Sequence, residues 1–290
     1  VAESEGGALR LEIAGAVRES LGELALLRNR LQLAEHEWRT AQALERDVAQ
    51  RVEAGELART DLLLARDETL NRQALYLGAL AELENGEQRY RALTGMDRVP
   101  PTPKEPLSTA RVITQEHPRL AEVQAAVDRA RAEVESVRQD RLGNPELTLG
   151  TRHEKEQDGE PYSNTLGVSV RVPLGSRAHA APRVAQAELA LAEAQAARDA
   201  VRRELETRLQ QAQNTLRTTR AAVALAQRQH ELAQENLRLA RKAFALGETD
   251  LVGLLRVQSL AFAAERNLQQ RGLQLELDIA RYNQAIGVIP

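Results

Sequence analysis

Two short polar runs hold the side chains best placed to do chemistry in this sequence. Glu56, Thr60 and Asp61 follow Gly55, and Glu248, Thr249 and Asp250 follow Gly247. Carboxylates and hydroxyls beside a tight turn can accept the orphan N–H bonds of the next helix, or stand exposed for a partner. Arg256, a few residues on, can pair with Asp61 or Asp250 as a latch, or lie as an ordinary surface arginine. His36, His117, His153, His179 and His230 are scattered, with no i, i+4 pair on one helix, so converging metal ligands are not expected. The absence of cysteine excludes disulfides, thiolate metal sites and cysteine nucleophiles. No glycine-rich phosphate loop, Ser/His/Asp set or carboxylate pair stands out. Neither an enzyme nor a cofactor is expected.

The two runs are copies of one design. Gly55 and Gly247, the leucine pairs Leu62-Leu63 and Leu254-Leu255, Arg89-Tyr90 and Arg281-Tyr282, and the closing Gly95 and Gly287 all stand 192 residues apart. A constant offset between glycines and tyrosines marks an internal repeat, which here is a helical hairpin built twice. In that register His230 falls where the first repeat has Trp38, and reads as packing.

Composition fits long thin packing better than a thick core. Aromatic residues make up 2% and charged residues 28%, so the interior must come from Ala, Leu and Val. The net charge of −3, with both signs interspersed, gives no basic footprint for nucleic acid. No apolar run approaches the length of a membrane-spanning helix. Residues 1–5 do not read as a signal peptide, and the leader of an exported protein would lie outside this chain.

The expected fold is mainly α: long antiparallel coiled-coil hairpins in two repeats, plus one β-hairpin. The first repeat spans 1–95. Its first helix, about Leu9 to Ala54, has the seam Ile13, Val17, Leu24, Leu27, Leu31, Ala34, Trp38, Ala41, Val48 and Val52. Gly55 ends it, Thr60 or Asp61 caps the next, and that helix runs to about Thr94. Residues 96–116, with Pro100, Pro101, Pro103 and Pro106, form a linker. The second repeat, 117–290, opens with a helix from Pro118 to about Arg141, then breaks at Gly143-Asn144-Pro145.

A period of two follows. Leu147 and Leu149, then Leu166, Val168, Val170 and Val172, alternate with polar or small residues, which predicts a β-hairpin over about 145–173. Its apolar face reads as the buried side of a ribbon on a soluble domain, or as a wall facing lipid. Pro173, Gly175 and Pro182 lead back to a helical hairpin over about 179–287. Its first helix, near Arg183 to Leu246, would be roughly 90–100 Å long. It has the seam Leu205, Leu209, Ala212, Leu216, Thr219, Val223, Ala226, His230, Ala233, Leu237, Ala240 and Phe244, with a second stripe, Leu225, Leu232, Leu239 and Leu246, beside it. Two seams predict neighbours on two sides. The return helix covers about Asp250 to Ile286.

The order of elements, with Arg51-Val-Glu-Ala-Gly55, Leu93-Thr94-Gly95, Asn144-Pro145-Glu146-Leu147 and Val172-Pro173-Leu174, resembles the outer-membrane-factor (TolC) family. Within it the pattern is most similar to the CzcC- and CusC-like heavy-metal-efflux branch. The resemblance implies a homotrimer forming one tube, with a β-barrel in outer-membrane lipid and an α-helical barrel in the periplasm. It implies two partners, a periplasmic adaptor and an inner-membrane RND-type transporter, and passive conduction of substrates such as heavy-metal cations.

The resemblance puts Gly55, Glu56, Thr60, Asp61, Gly247, Glu248, Thr249 and Asp250 at the periplasmic tip, facing the adaptor. It makes Asp61 and Arg256 a possible gate, Tyr162 a member of an interfacial girdle, and the hairpin leucines and valines lipid-facing. Family members often carry acids six and nine positions after the tip glycine. Here those places hold Asp61 and Leu64, then Gly253 and Arg256. The family plan also has a strand pair in each repeat. The first repeat enters at a place matching Glu193, so the chain is expected to begin about a third of the way into such a protein. With only two strands, this chain as given is not expected to close the family's barrel. A periplasmic adaptor subunit and a soluble structural coiled-coil rod are the alternatives. The adaptor would need one hairpin flanked by lipoyl-like strands, and the rod should lack the alternation at 165–172.

Overall fold

The computed structural model describes residues 2–100, 104–139, 145–154, 163–172 and 177–290. Pro101, Pro103, Arg141, the Gly143-Asn144 break, the loop 155–161, Tyr162, Pro173, Gly175 and the His179 side chain lie outside the described residues. The elements run α1 (Ala2–Glu53), α2 (Arg59–Thr94), α3 (Pro118–Gln139), β1 (Glu146–Glu154), β2 (Ser163–Arg171), α4 (Arg177–Ala245) and α5 (Leu251–Ile286). The chain is mainly helical, in long antiparallel pairs with one β-hairpin. α4 starts ahead of Pro182, which stands inside the helix. That proline lies within the first two turns, so its missing N–H removes a single bond from the ladder.

The chain divides into two compact units, one of residues 1–7 and 115–204, the other of residues 8–114 and 205–290. In the first unit Val134 and Val137 of α3 pack on Ala187 of α4, and Arg138 pairs with Glu188 at 2.6 Å. β1 and β2 are antiparallel, with Leu147 opposite Val170, Leu149 opposite Val168 and Thr151 opposite Leu166. This register puts the apolar side chains on one face of the ribbon.

The second unit carries the tips. Its neighbour order follows from contacts between helices. α2 lies on α1, where Arg89 bonds Glu23 and Leu24 and Tyr90 share a cluster. α1 lies on α5, where Arg281 grips Glu19. α5 lies on α4, where the Thr219 hydroxyl donates to Asp278 at 2.7 Å and Tyr282 packs on Leu209 and Leu216. Along this order α2 and α4 stand at the two ends. These two are the flanking helices of the unit.

The repeat persists in detail, with exchanged chemistry. Leu27 and Gly86 of the first hairpin occupy the places of Thr219 and Asp278 in the second. In the second hairpin the crossing is a buried hydrogen bond. In the first it is a close apolar approach: a Cβ at Gly86 would stand 2.5 Å from Leu27 Cδ1 and 3.2 Å from Leu24 Cδ2. Gly86→Ala should therefore cost about 1–3 kcal/mol by overpacking, read as a lower denaturation midpoint. An unchanged midpoint would mean that Leu27 swings aside freely.

Candidate functional site

Both tips close by the same backbone device. The Gly55 N–H donates to the Val52 carbonyl at 3.0 Å and the Glu56 N–H to the Arg51 carbonyl at 2.8 Å. In the second tip Gly247 donates to Phe244 at 3.1 Å and Glu248 to Ala243 at 2.9 Å. Each is a helix stop that needs a left-handed residue, and the glycines supply it with φ of 79° and 75°.

The helices leaving the tips share one capping box between two sequences. In the second tip Asp250 is the N-cap and its carboxylate accepts from the Gly253 N–H at 2.8 Å. In the first the N-cap is Ala58, which has no acceptor, and Asp61 reaches back to the Ala58 N–H at 3.2 Å. Ala58 and Asp61 correspond to Asp250 and Gly253 by the repeat offset, so each tip has one half of the reciprocal pair. Asp61 thus caps from within the first turn, while Thr60 is exposed there and makes no cap. Gly253 leaves room, since a Cβ there would lie 2.8 Å from Thr249 Oγ1.

The tips are level. Arg51 pairs with Glu56 at 3.1 Å, stands 4.9 Å over the Phe244 ring, and donates to the Phe244 carbonyl at 3.4 Å. Phe244 is the repeat mate of Val52, the residue next to Arg51. Below them Val48, Ala65, Leu237, Phe244, Leu251, Leu254 and Ala261 form one buried cluster. Glu56, Thr60, Glu248 and Asp250 are exposed around it. Arg256 is exposed and makes no ion pair with Asp61 or Asp250 among the described residues.

The remaining sequence-marked residues are placed as follows. Leu147, Leu149, Leu166, Val168, Val170 and Val172 are all exposed, and the first five share the hairpin's apolar face. Opposite it lie Glu146, Thr148, Arg152, Thr165, Ser169 and Arg171. Trp38 stacks on Tyr76 at 5.2 Å, and its repeat mate His230 is half-buried with no hydrogen-bond partner at Nδ1. Among the described residues no metal-ligating group of three converges.

Sequence reasoning missed three charged groups inside the helix layer. Glu37 is buried on α1, Asp278 on α5, and Arg18 on α1. The signal for Glu37 was its spacing, three residues after Ala34 and four before Ala41, which puts it on the seam.

No curated protein matches the chain by sequence. Solved structures do match its fold. The outer membrane protein VceC from Vibrio cholerae aligns over 100% of this chain and 73% of its own, at 16% identity and TM-score 0.76. CusC, solved in a study of folding and transmembrane channel formation, aligns over 98% and 70%, at 16% identity and TM-score 0.76. The open-state MtrE outer membrane channel of Neisseria gonorrhoeae aligns over 98% and 68%, at 15% identity and TM-score 0.75. At such identities the likeness speaks for fold. The outer membrane efflux protein family profile matches residues 110–288, more than half of the sequence, with the hairpin, both long helices and the second tip inside it. The chain belongs to the outer membrane efflux protein family.

Proposed function

We propose that this efflux-family channel protein is one subunit of a homotrimeric exit duct in a tripartite pump. It conducts substrates passively from the periplasm to the outside, heavy-metal cations among them, and works with a periplasmic adaptor and an inner-membrane RND-type transporter. The observation that carries the reading is the pair of level tips on duplicated hairpins, in a chain of this family. Such an end offers a repeated polar rim, Glu56, Thr60 and Asp61 beside Glu248, Thr249 and Asp250, on which an adaptor's own helices can dock.

The β-hairpin supports the membrane part of the reading. A ribbon with one fully exposed apolar face and one polar face suits a barrel wall between lipid and a wet lumen. The alternative adaptor plan, one hairpin flanked by strands, lacks the second tip. In the single chain Asp61 is engaged as a cap, so a gate made of Asp61 and Arg256 would be a contact between copies.

Deleting the gene in its own bacterium tests the function. The strain should become hypersensitive to divalent or monovalent toxic metals, and the restored gene should reverse this. Hypersensitivity to organic toxicants alone would remove the metal assignment and leave the duct. Unchanged tolerance to both classes would overturn the duct.

A further inference from the structure

In the second unit α1, α4 and α5 enclose a cleft of about 850 Å3, within the range of small-molecule sites, about 300–1,000 Å3. Its floor is one stripe of α5, made by Leu254, Gln258, Phe262 and Glu265, and its walls come from α1 and α4. Both phenylalanines of the chain line it. Arg51 bounds the cleft toward the tips, 4.9 Å over the Phe244 ring. Toward the far end His36 meets Phe262 edge-on, with ring centroids 6.4 Å apart.

Gln258 is the unusual member of the floor. It is 5% exposed, yet its carboxamide makes no hydrogen bond among the described residues. A buried amide without a partner costs about 1–3 kcal/mol, so one on the floor of a cleft marks a place where a partner arrives. The duplication did not require it: the first hairpin has Arg66, Leu70 and Gln73 where the second has Gln258, Phe262 and Glu265. There Arg66 turns to Glu45 at 3.4 Å. Charges around the amide are unspent in the same way. Asp47 on the α1 wall, Arg241 on the α4 wall and half-buried Glu265 make no ion pair among the described residues. The remaining arginines of the cleft are taken, Arg39 by Glu35 and Arg51 by Glu56.

We infer that the cleft binds short zwitterionic peptides with apolar side chains, of dipeptide size. The Gln258 carboxamide can donate to a peptide carbonyl and accept from a peptide N–H. The free carboxylates of Asp47 and Glu265 suit the peptide's ammonium group. Arg241 suits its carboxylate, which a guanidinium can hold by two parallel bonds. Leu254, Phe262 and Phe244 give the apolar side chains a surface on which to leave water. An organic cation would leave Arg241 unused, and a monoanion would face two carboxylates. The site lies within a single chain, so it stands or falls apart from the duct and its metal cargo.

Leucyl-phenylalanine titrated against the full chain in detergent, and followed by saturation-transfer NMR of the peptide, should give a saturable signal over that of empty micelles. N-acetyl-leucyl-phenylalaninamide has the same side chains without the charges and should bind about tenfold more weakly. Gln258→Leu and Arg241→Gln should each weaken the zwitterion about tenfold, and Arg241→Gln should leave the neutral peptide's binding as it was. Arg217→Gln, at an exposed site of α4 outside the cleft, should bind as the parent does. Helix ellipticity checks that each variant is folded. Arg241 is exposed, so its variant decides the matter even where Gln258→Leu loses ellipticity. No saturable signal, equal binding of the two peptides, or full binding by folded Gln258→Leu and Arg241→Gln would overturn the site and leave the duct reading, which is tested in cells, untouched.

Discussion

Glu37→Ala is expected to destabilise the folded chain by about 3 kcal/mol, near the lower end of what removing one partner of a buried ion pair costs. Glu37 is 4% exposed on α1. One carboxylate oxygen accepts from Arg72 of α2 at 2.7 Å and the other from Arg266 of α5. Three helices from both hairpins therefore meet on a single charge. Arg72 is almost as enclosed, held also by Glu68 at 2.6 Å and Ser259 at 3.1 Å, and it lies 5.3 Å over the Phe262 ring. With alanine in place, Arg72 keeps Glu68 and Arg266, at 43% side-chain exposure, can turn to water. These outlets decide for the lower end of the range. Chemical denaturation followed by helix ellipticity, at fixed protein concentration in detergent, reads the effect. The Glu37→Leu, Arg72→Leu double variant should recover much of the loss, because an apolar pair needs no desolvation of charge. A Glu37→Ala midpoint equal to that of the parent chain would sink the claim that this carboxylate ties the hairpins together.

What the sequence could and could not disclose follows from the kind of signal each residue gives. Glycines in a left-handed conformation are nearly irreplaceable, so Gly55, Gly95, Gly247 and Gly287, all at positive φ, announced the helix ends and the repeat. Heptad spacing was equally legible: Leu24, Ala41, Val48, Leu205, Leu216, Ala226, Leu237 and Phe244 are buried as their rows required. Spacing shows that a face needs a neighbour, without showing that the neighbour belongs to the same chain. Hence Ile13 of the first seam is 54% exposed, and so is the second row of α4. Charged residues gave the least. Glu37, Arg18 and Asp278 sit among many acids and arginines that lie on solvated faces. Only the long-range partners Arg72, Glu105 and Thr219 distinguish them. At the tips the sequence pointed to capping acids but not to the way one reciprocal cap is divided between Asp61 and Asp250. That division appears only when Ala58 and Gly253 are seen to fill the matching places.

Arg18→Ala should cost about 3–5 kcal/mol at neutral pH, and the loss should fade in acid. Arg18 is buried on α1, with Nε and Nη2 on the two carboxylate oxygens of Glu105 at 2.6 and 2.8 Å. Its remaining nitrogen, Nη1, reaches Gln284 at 2.6 Å and the Val288 carbonyl at 3.0 Å. Glu105 begins a strap laid on α5: Asn283 bonds Glu105 and the Pro106 carbonyl, the Ser108 N–H donates to Asn283, and the Tyr282 hydroxyl donates to the Ala110 carbonyl at 2.7 Å. Burial works to raise the pKa of Glu105, but the hydrogen bonds from Arg18 and Asn283 and the Arg18 charge outweigh it and hold it below the ordinary 4.5. A carboxylate depressed in the folded state takes up its proton first in the unfolded chain. Its stabilisation is therefore complete above about 4.5 and is lost as pH falls through the lower folded value. Without Arg18 the carboxyl has burial against it and only Asn283 in its favour, so the variant loses that acid limb. Denaturation midpoints of parent and Arg18→Ala should consequently converge below pH 4.5, while Glu105→Gln flattens the parent's acid limb directly. A gap between parent and Arg18→Ala that stays constant from neutral pH into acid would show that Arg18 acts through Gln284 and Val288 alone. The strap would then be held to the helices by Asn283 and Tyr282, with no ionic clasp.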